Sequence, residues 1–145
     1  MSKIIDLRNE VPKRAARRSK SDIKKIAVHY SATKQGNFWS FWNNTWSKKN
    51  PPWQTGGYAE IVLSDEDNND VELCYDYDMV TNGVGGHNST TFHICGVNDG
   101  PFSPGQKKVL FERISFHLRN LNLSVNDVFG HNEFTNQRTS CPGND

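Results

Sequence analysis

The sequence is poor in the features that would place it outside the soluble globular class. Its 145 residues include only three cysteines. Cys74, Cys95 and Cys141 are odd in number and unevenly spaced, which makes a poor disulfide framework and suits a reducing cytoplasm. No apolar run approaches the ~18 residues that a membrane span needs, so no membrane partner is expected. Charge of one sign is also lacking. The formal net charge is +1, so the chain as a whole does not call for a polyanionic partner. No nucleic-acid-binding motif is present, and no nucleic-acid partner is expected. The N-terminus, Met1-Ser2-Lys3-Ile4-Ile5-Asp6, lacks the charged-then-apolar build of a secretory leader. Synthesis in the cytoplasm is the expectation. There is no internal repeat and no low-complexity tract, and the length fits one domain with its own core.

What is present reads as alternating strands and helices. Residues 1–22 form a lead-in segment. The stretch from Pro12 to Lys25 predicts a short helix, with Ser21 or Asp22 capping its last turn. Lys13, Arg14, Arg17, Arg18, Lys20, Lys24 and Lys25 crowd this region. They make either a solvated helix face or flexible lead-in, or a patch for an anionic surface such as a wall bearing teichoic acid, with nucleic acid the lesser alternative that no motif supports. Ile26 to Tyr30 is a short apolar run and predicts a buried strand. Asn37 is a helix cap for Phe38 to Trp46, where Trp39, Trp42 and Trp46 recur at helical spacing. Those tryptophans are core packing or a rim that stacks on sugar rings, and Asn50-Pro51-Pro52 ends the helix. Tyr58–Leu63 and Val71–Tyr75 predict strands joined by an acidic turn from Asp65 to Asp70. A glycine-rich loop, Thr81 to Thr91, precedes a strand at Thr91–Val97. Ser103-Pro104-Gly105-Gln106 opens a long helix with a cap, a first-turn proline and a capping-box glutamine. Val109, Leu110, Ile114, Leu118 and Leu121 carry its apolar face. Val125–Phe129 predicts a fifth strand, and Asn132 to Asp145 a loop. The fold class is α/β, with a central mixed sheet of about five strands flanked by helices.

His29 ends the first of these strands, His131 follows the last, and Cys141 lies shortly beyond. Strand ends and their loops are where side chains converge on open sites. Two imidazoles and a thiolate suit zinc and leave a fourth coordination position open. By residue type and spacing alone, core histidines and a buried structural cysteine fit as well.

The local motifs point further. Val28-His29-Tyr30-Ser31-Ala32-Thr33 resembles the opening element of the type 2 N-acetylmuramoyl-L-alanine amidases, a family that includes phage lysozyme-amidases and is similar to the peptidoglycan recognition proteins. Gly57-Tyr58, Gly86-His87-Asn88-Ser89, and Gly130-His131 followed by Thr139-Ser140-Cys141-Pro142-Gly143 resemble its other elements, in the same order. The resemblance implies a single amidase catalytic domain over residues 1–145, with Zn2+ held at strand ends by His29, His131 and Cys141. It implies Tyr58 and Thr139 as catalytic residues near the metal and His87 as a substrate-binding residue; apart from the resemblance, Trp39, Trp42, Trp46 or Trp53, if exposed, lines a groove for glycan or peptide, and Trp53 is the substrate-binding candidate. The resemblance also implies hydrolysis of the amide between N-acetylmuramic acid and L-alanine, with peptidoglycan as the partner of a monomer. Ala59 and His93 depart from the family pattern. The position of a glutamate base used by some relatives is Cys95 here, which points to a tyrosine-type site. Glu60, two residues after Tyr58, is a reserve candidate for proton transfer, and mid-helix His117 is structural or solvated. A non-catalytic wall-binding module of the same fold is the alternative, although such modules typically lose the cysteine. A polymerase-binding regulator is a third option. The absence of a leader suggests a phage endolysin made in the host cytoplasm and acting on the wall; a bacterial recycling enzyme also fits. A cell-wall-binding domain beyond residue 145 is compatible with this reading.

Overall fold

A computed structural model describes residues 2–134 together with Thr139 and Cys141. Its centre is a six-stranded sheet in the order β1-β4-β3-β5-β2-β6. The strands are β1 (Ile4–Asp6), β2 (Lys25–Tyr30), β3 (Glu60–Val62), β4 (Val71–Leu73), β5 (Thr91–Gly96) and β6 (Val128–Gly130). Only β3 and β4 pair antiparallel, across the acidic turn; the other neighbours are parallel. Asn68 and Asn69 close that turn at positive φ, a conformation asparagine tolerates better than most residues.

Two helices, α1 (Phe38–Asn44) and α2 (Pro104–Leu121), cover opposite faces of the sheet. Parallel register sets Ala27 beside His93, His29 beside Cys95, and Ile61 beside Cys95, so these side chains share one face. Phe38 and Trp46 pack over that face. Phe38 is fully buried and its N–H donates to the Glu72 carboxylate. Glu60, Phe92 and Ile94 face α2. As expected, Leu110 is buried there, with Val109, Ile114, Leu118 and Leu121 packed against the core. Burying a side chain such as Phe92 or Ile94 contributes about 1.5–3 kcal/mol each.

Both helix caps form as read from the sequence. Asn37 accepts from the Ser40 N–H, and Ser103 accepts from the Gln106 N–H. The Gln106 side chain, however, turns into the core and donates to the carbonyls of Val62, Leu63 and Val97, pinning α2 to the sheet.

Three expectations need correction. The Pro12–Lys25 segment is not a helix. Its backbone donors go elsewhere, Arg14 N–H to the Thr55 hydroxyl and Arg18 N–H to the Asp78 carbonyl, leaving one 3-10 turn at Lys20–Asp22 with Ser19 as cap. The lead-in segment also supplies the sixth strand, β1. Finally, α1 stops at Asn44, well before the prolines. Thr45 leaves helical geometry, and Trp46 tucks beneath the helix against Phe38, Phe41 and Tyr58.

Candidate metal centre

His29 is the penultimate residue of β2, and His131 immediately follows β6, the strand paired beside it. Both therefore stand at the carboxyl ends of parallel strands, where open α/β sheets present their ligand crevices. Cys141 reaches the same place from the C-terminal segment, and Asn132 N–H donates to its carbonyl. One ligand atom from each of His29, His131 and Cys141 falls within 4.8 Å of the others. Cys141 Sγ lies 3.7 Å from His29 Nδ1. In a tetrahedral zinc site, sulfur and nitrogen ligands stand about 3.5 Å apart, so the donor set fits that ion in type and the Cys141–His29 pair fits it in spacing.

Burial governs the electrostatics of the His29–His93 pair and of Cys141. Burial, with His93 and His131 nearby, holds the His29 pKa well below its usual value. Burial also lowers His93, to about 3, with help from Arg18 and His131. Burial pushes the Cys141 thiol up to about 11, opposed by the Tyr30 N–H that donates to its sulfur at 3.2 Å. A cation beside that sulfur favours the thiolate.

His29, His131 and Cys141 line a cleft of about 280 Å³, together with Tyr58, Trp46, Trp53, Asn82 and Thr139. The Tyr58 ring lies 5.0 Å from that of His29. Burial and the neighbouring thiols raise the Tyr58 pKa far above 10, so the phenol stays protonated. Thr139 Oγ1 accepts the Cys141 N–H at 3.1 Å, which leaves its own hydroxyl proton to donate elsewhere. Trp53 stacks on Trp46 and carries Lys49 over its outer face.

The sequence-predicted residues thus divide. His29, His131, Cys141, Tyr58, Thr139 and Trp53 come together in one cleft. His87 does not line it; its ring rests against Phe134. Ser140, Pro142 and Gly143 of the closing motif lie outside the described residues. Glu60 belongs to the far face of the sheet. The ladder is interrupted at Ala59, whose carbonyl takes amides from both Cys74 and Tyr75, so alternation does not carry from Tyr58 to Glu60. Glu60 is held by Arg113 and His117 of α2. It is therefore not placed for proton transfer at the cleft.

Sequence reasoning missed the partner of His29. Its Nε2 lies 2.9 Å from His93 Nδ1, and His93 Nε2 lies 2.9 Å from Asn88 Oδ1. The one available signal was that His93 falls two residues before Cys95 on β5, hence on the same face as the residue beside His29.

Residues 18–144 match the family model described as N-acetylmuramoyl-L-alanine amidase. No curated protein sequence matches the chain. Similar solved structures include the N-acetylmuramoyl-L-alanine amidase LysC from Clostridium intestinale URNW, with a TM-score of 0.77 at 18% identity, covering 99% of this chain and 91% of that one. The Ph2119 endolysin of a Thermus scotoductus bacteriophage gives 0.74 at 21% identity, covering 97% and 92%. The ectodomain complex of peptidoglycan recognition proteins LCa and LCx, bound to tracheal cytotoxin, gives 0.73 at 18% identity, covering 97% and 90%. With motifs, sheet and cleft in agreement with a family model that spans nearly the whole chain, this protein belongs to the N-acetylmuramoyl-L-alanine amidase family.

Proposed function

We propose that this protein is a zinc-dependent N-acetylmuramoyl-L-alanine amidase that hydrolyses the amide between N-acetylmuramic acid and the L-alanine of the stem peptide. The observation that carries the proposal is the convergence of His29, His131 and Cys141 in an open cleft, their ligand atoms within 4.8 Å. Zinc held there by His29, His131 and Cys141 would supply a Lewis acid for the scissile carbonyl and a water of lowered pKa.

The remaining chemistry falls to the chain. Tyr58 is protonated and beside His29, so it acts as a hydrogen-bond donor to charge developing on the carbonyl oxygen rather than as a base. Thr139 has a hydroxyl proton to donate in the same cleft. It contributes one hydrogen bond where a lysine would add a charge. Trp53 offers an apolar wall for a sugar ring or stem peptide. Retention of Cys141 favours an enzyme over a binding module. A role in phage lysis, with the protein made in the host cytoplasm and acting on the wall, is part of this proposal; the fold is shared with a phage endolysin.

The test is to incubate the protein with bacterial cell walls, with and without chelator, and to follow released fragments by mass spectrometry. Free stem peptides beginning with L-alanine, lost with chelator and restored by zinc, are expected. Tight wall binding without cleavage in the presence of zinc would replace the amidase with the binding module.

A further inference from the structure

Which nitrogen of His29 faces Cys141 is decided outside the ligand set. The Val84 N–H donates to Asn88 Oδ1 at 2.8 Å. A backbone N–H can only donate, so the side-chain atom it meets is the carboxamide oxygen, and the usual two-fold ambiguity of an asparagine is removed. That same oxygen lies 2.9 Å from His93 Nε2. Because it can only accept, the His93 proton sits on Nε2. His93 is 0% exposed and neither ring nitrogen meets a carboxylate, so its one proton, on Nε2, leaves a lone pair on Nδ1. His29 Nε2 is 2.9 Å from that lone pair, so the His29 proton sits on Nε2. The remaining atom, His29 Nδ1, carries a lone pair and is the one 3.7 Å from Cys141 Sγ.

We propose that Val84, Asn88 and His93 form a positioning relay that fixes the tautomer and ring orientation of His29, so that Nδ1 is presented to the metal. The proposal rests on the metal reading of the site. The opposite tautomer would aim an N–H at the metal, and would require Asn88 to turn its NH2 group against the Val84 N–H.

The packing holds the members of the relay in place. A Cβ added at Gly83 would come within 2.4 Å of His93 Nδ1 and 2.6 Å of its Cγ, so the imidazole occupies a slot that only glycine leaves open. Arg18 donates to the carbonyls of Asn88 at 2.9 Å, Ser89 at 3.2 Å, Thr91 at 2.9 Å and Tyr77 at 2.7 Å. The lead-in segment thereby clamps the loop that carries Asn88. Metal-bound histidines usually give their second N–H to a carboxylate, a carbonyl or water. Here the partner is a neutral imidazole, which orients the ring without adding negative charge to the centre.

The test reads tautomers directly. Long-range proton–nitrogen correlation spectra of 15N-labelled protein should show His29 and His93 protonated at Nε2 in the metal-free state. Added zinc should perturb Nδ1 of His29. A metal-free His29 protonated at Nδ1, or zinc at its Nε2, would overturn the relay. Zinc affinity, measured by competition with a chromophoric chelator, should weaken about 10–100-fold in His93→Leu. His93→Gln, which restores an acceptor, should recover most of it. Unchanged affinity in a folded His93→Leu would also overturn the relay, and the wild-type spectrum decides the matter if that variant does not fold. Failure of the metal reading looks different: wild type takes up no zinc while both rings keep their Nε2 protons. In that case the relay stands and the metal assignment falls.

Discussion

Replacing Glu60 with Gln should damage the fold and spare the chemistry. The Glu60 carboxylate receives Arg113 Nε at 2.8 Å and Nη2 at 2.9 Å, and His117 Nε2 at 2.7 Å. Its side chain is 5% exposed, that of His117 4% and that of Arg113 18%. Removing one partner of a buried ion pair typically costs about 3–5 kcal/mol, because the other charge is left behind in a poor solvent. Arg113 keeps some access to water and Gln keeps a neutral acceptor, so the low end, ~3 kcal/mol, applies. For a chain of this size that corresponds to a melting point lower by about 6–12 °C. The pH dependence has a definite sign. Burial raises the Glu60 pKa, but the bonds from His117 and Arg113 outweigh it, so the net shift is downward from 4.5. A carboxylate with a depressed folded pKa stabilises fully above its unfolded value, and loses that contribution as pH falls through the folded one. Gln does not titrate. The melting-point gap between wild type and Glu60→Gln, followed by circular dichroism, should be widest near neutrality and narrow progressively below pH 4.5. At temperatures where both proteins are folded, zinc affinity and kcat should match. A gap that ignores pH would refute the ion-pair account. Lost turnover with an intact melting curve would return Glu60 to the reaction.

Three further outcomes probe the cleft. Cys141→Ser should weaken zinc binding by at least about 100-fold, more than a typical outer-shell change, and abolish release of stem peptides; full cleavage by this variant would remove Cys141 from the ligand set. Tyr58→Phe should leave zinc affinity and KM unchanged and lower kcat by roughly 10²-fold, the usual effect of losing one donor to an oxyanion. An unchanged kcat would take Tyr58 out of the mechanism. Trp53→Ala should raise KM for intact wall fragments with little change in kcat, since the side chain lines the cleft and is not among the metal-site residues; an equal KM would make it a packing residue alone.

The sequence revealed most where function is written locally. His29 at the end of an apolar run, Gly130-His131 and Thr139-Ser140-Cys141 are each readable within a few residues. The structure brings their chemistry-bearing members into one cleft. The caps at Asn37 and Ser103 were legible for the same reason, each being a bond across one helical turn. What was not legible depends on distant partners. The strand Ile4–Asp6 is three residues long and pairs with Val71–Leu73, and nothing in so short a segment announces it. The basic run read as a helix face or an exposed patch because the carbonyls that capture Arg18 belong to residues 77–91. Glu60 looked available to Tyr58 because alternation was assumed to continue through Ala59, and the interrupted ladder there could not be seen in composition.

The two buried histidine networks sharpen that lesson, since nothing in residue type separates them. His117 and His93 are both buried mid-element, at 3% and 0% exposure, and each bonds through both ring nitrogens. They lie on opposite faces of one sheet and differ in their partners. His117 meets the Glu60 carboxylate, itself shared with Arg113, and so completes a self-contained charge network that fastens α2 to the sheet. His93 meets a carboxamide oxygen on one side and another neutral imidazole on the other, with no anion to balance a charge. A network of that second kind passes a defined lone pair onward to whatever lies at its end, and here the end is the cleft. The partner of the partner therefore separates a structural histidine from a positioning one, and it becomes visible only once the Val84–Asn88 loop has folded over β5.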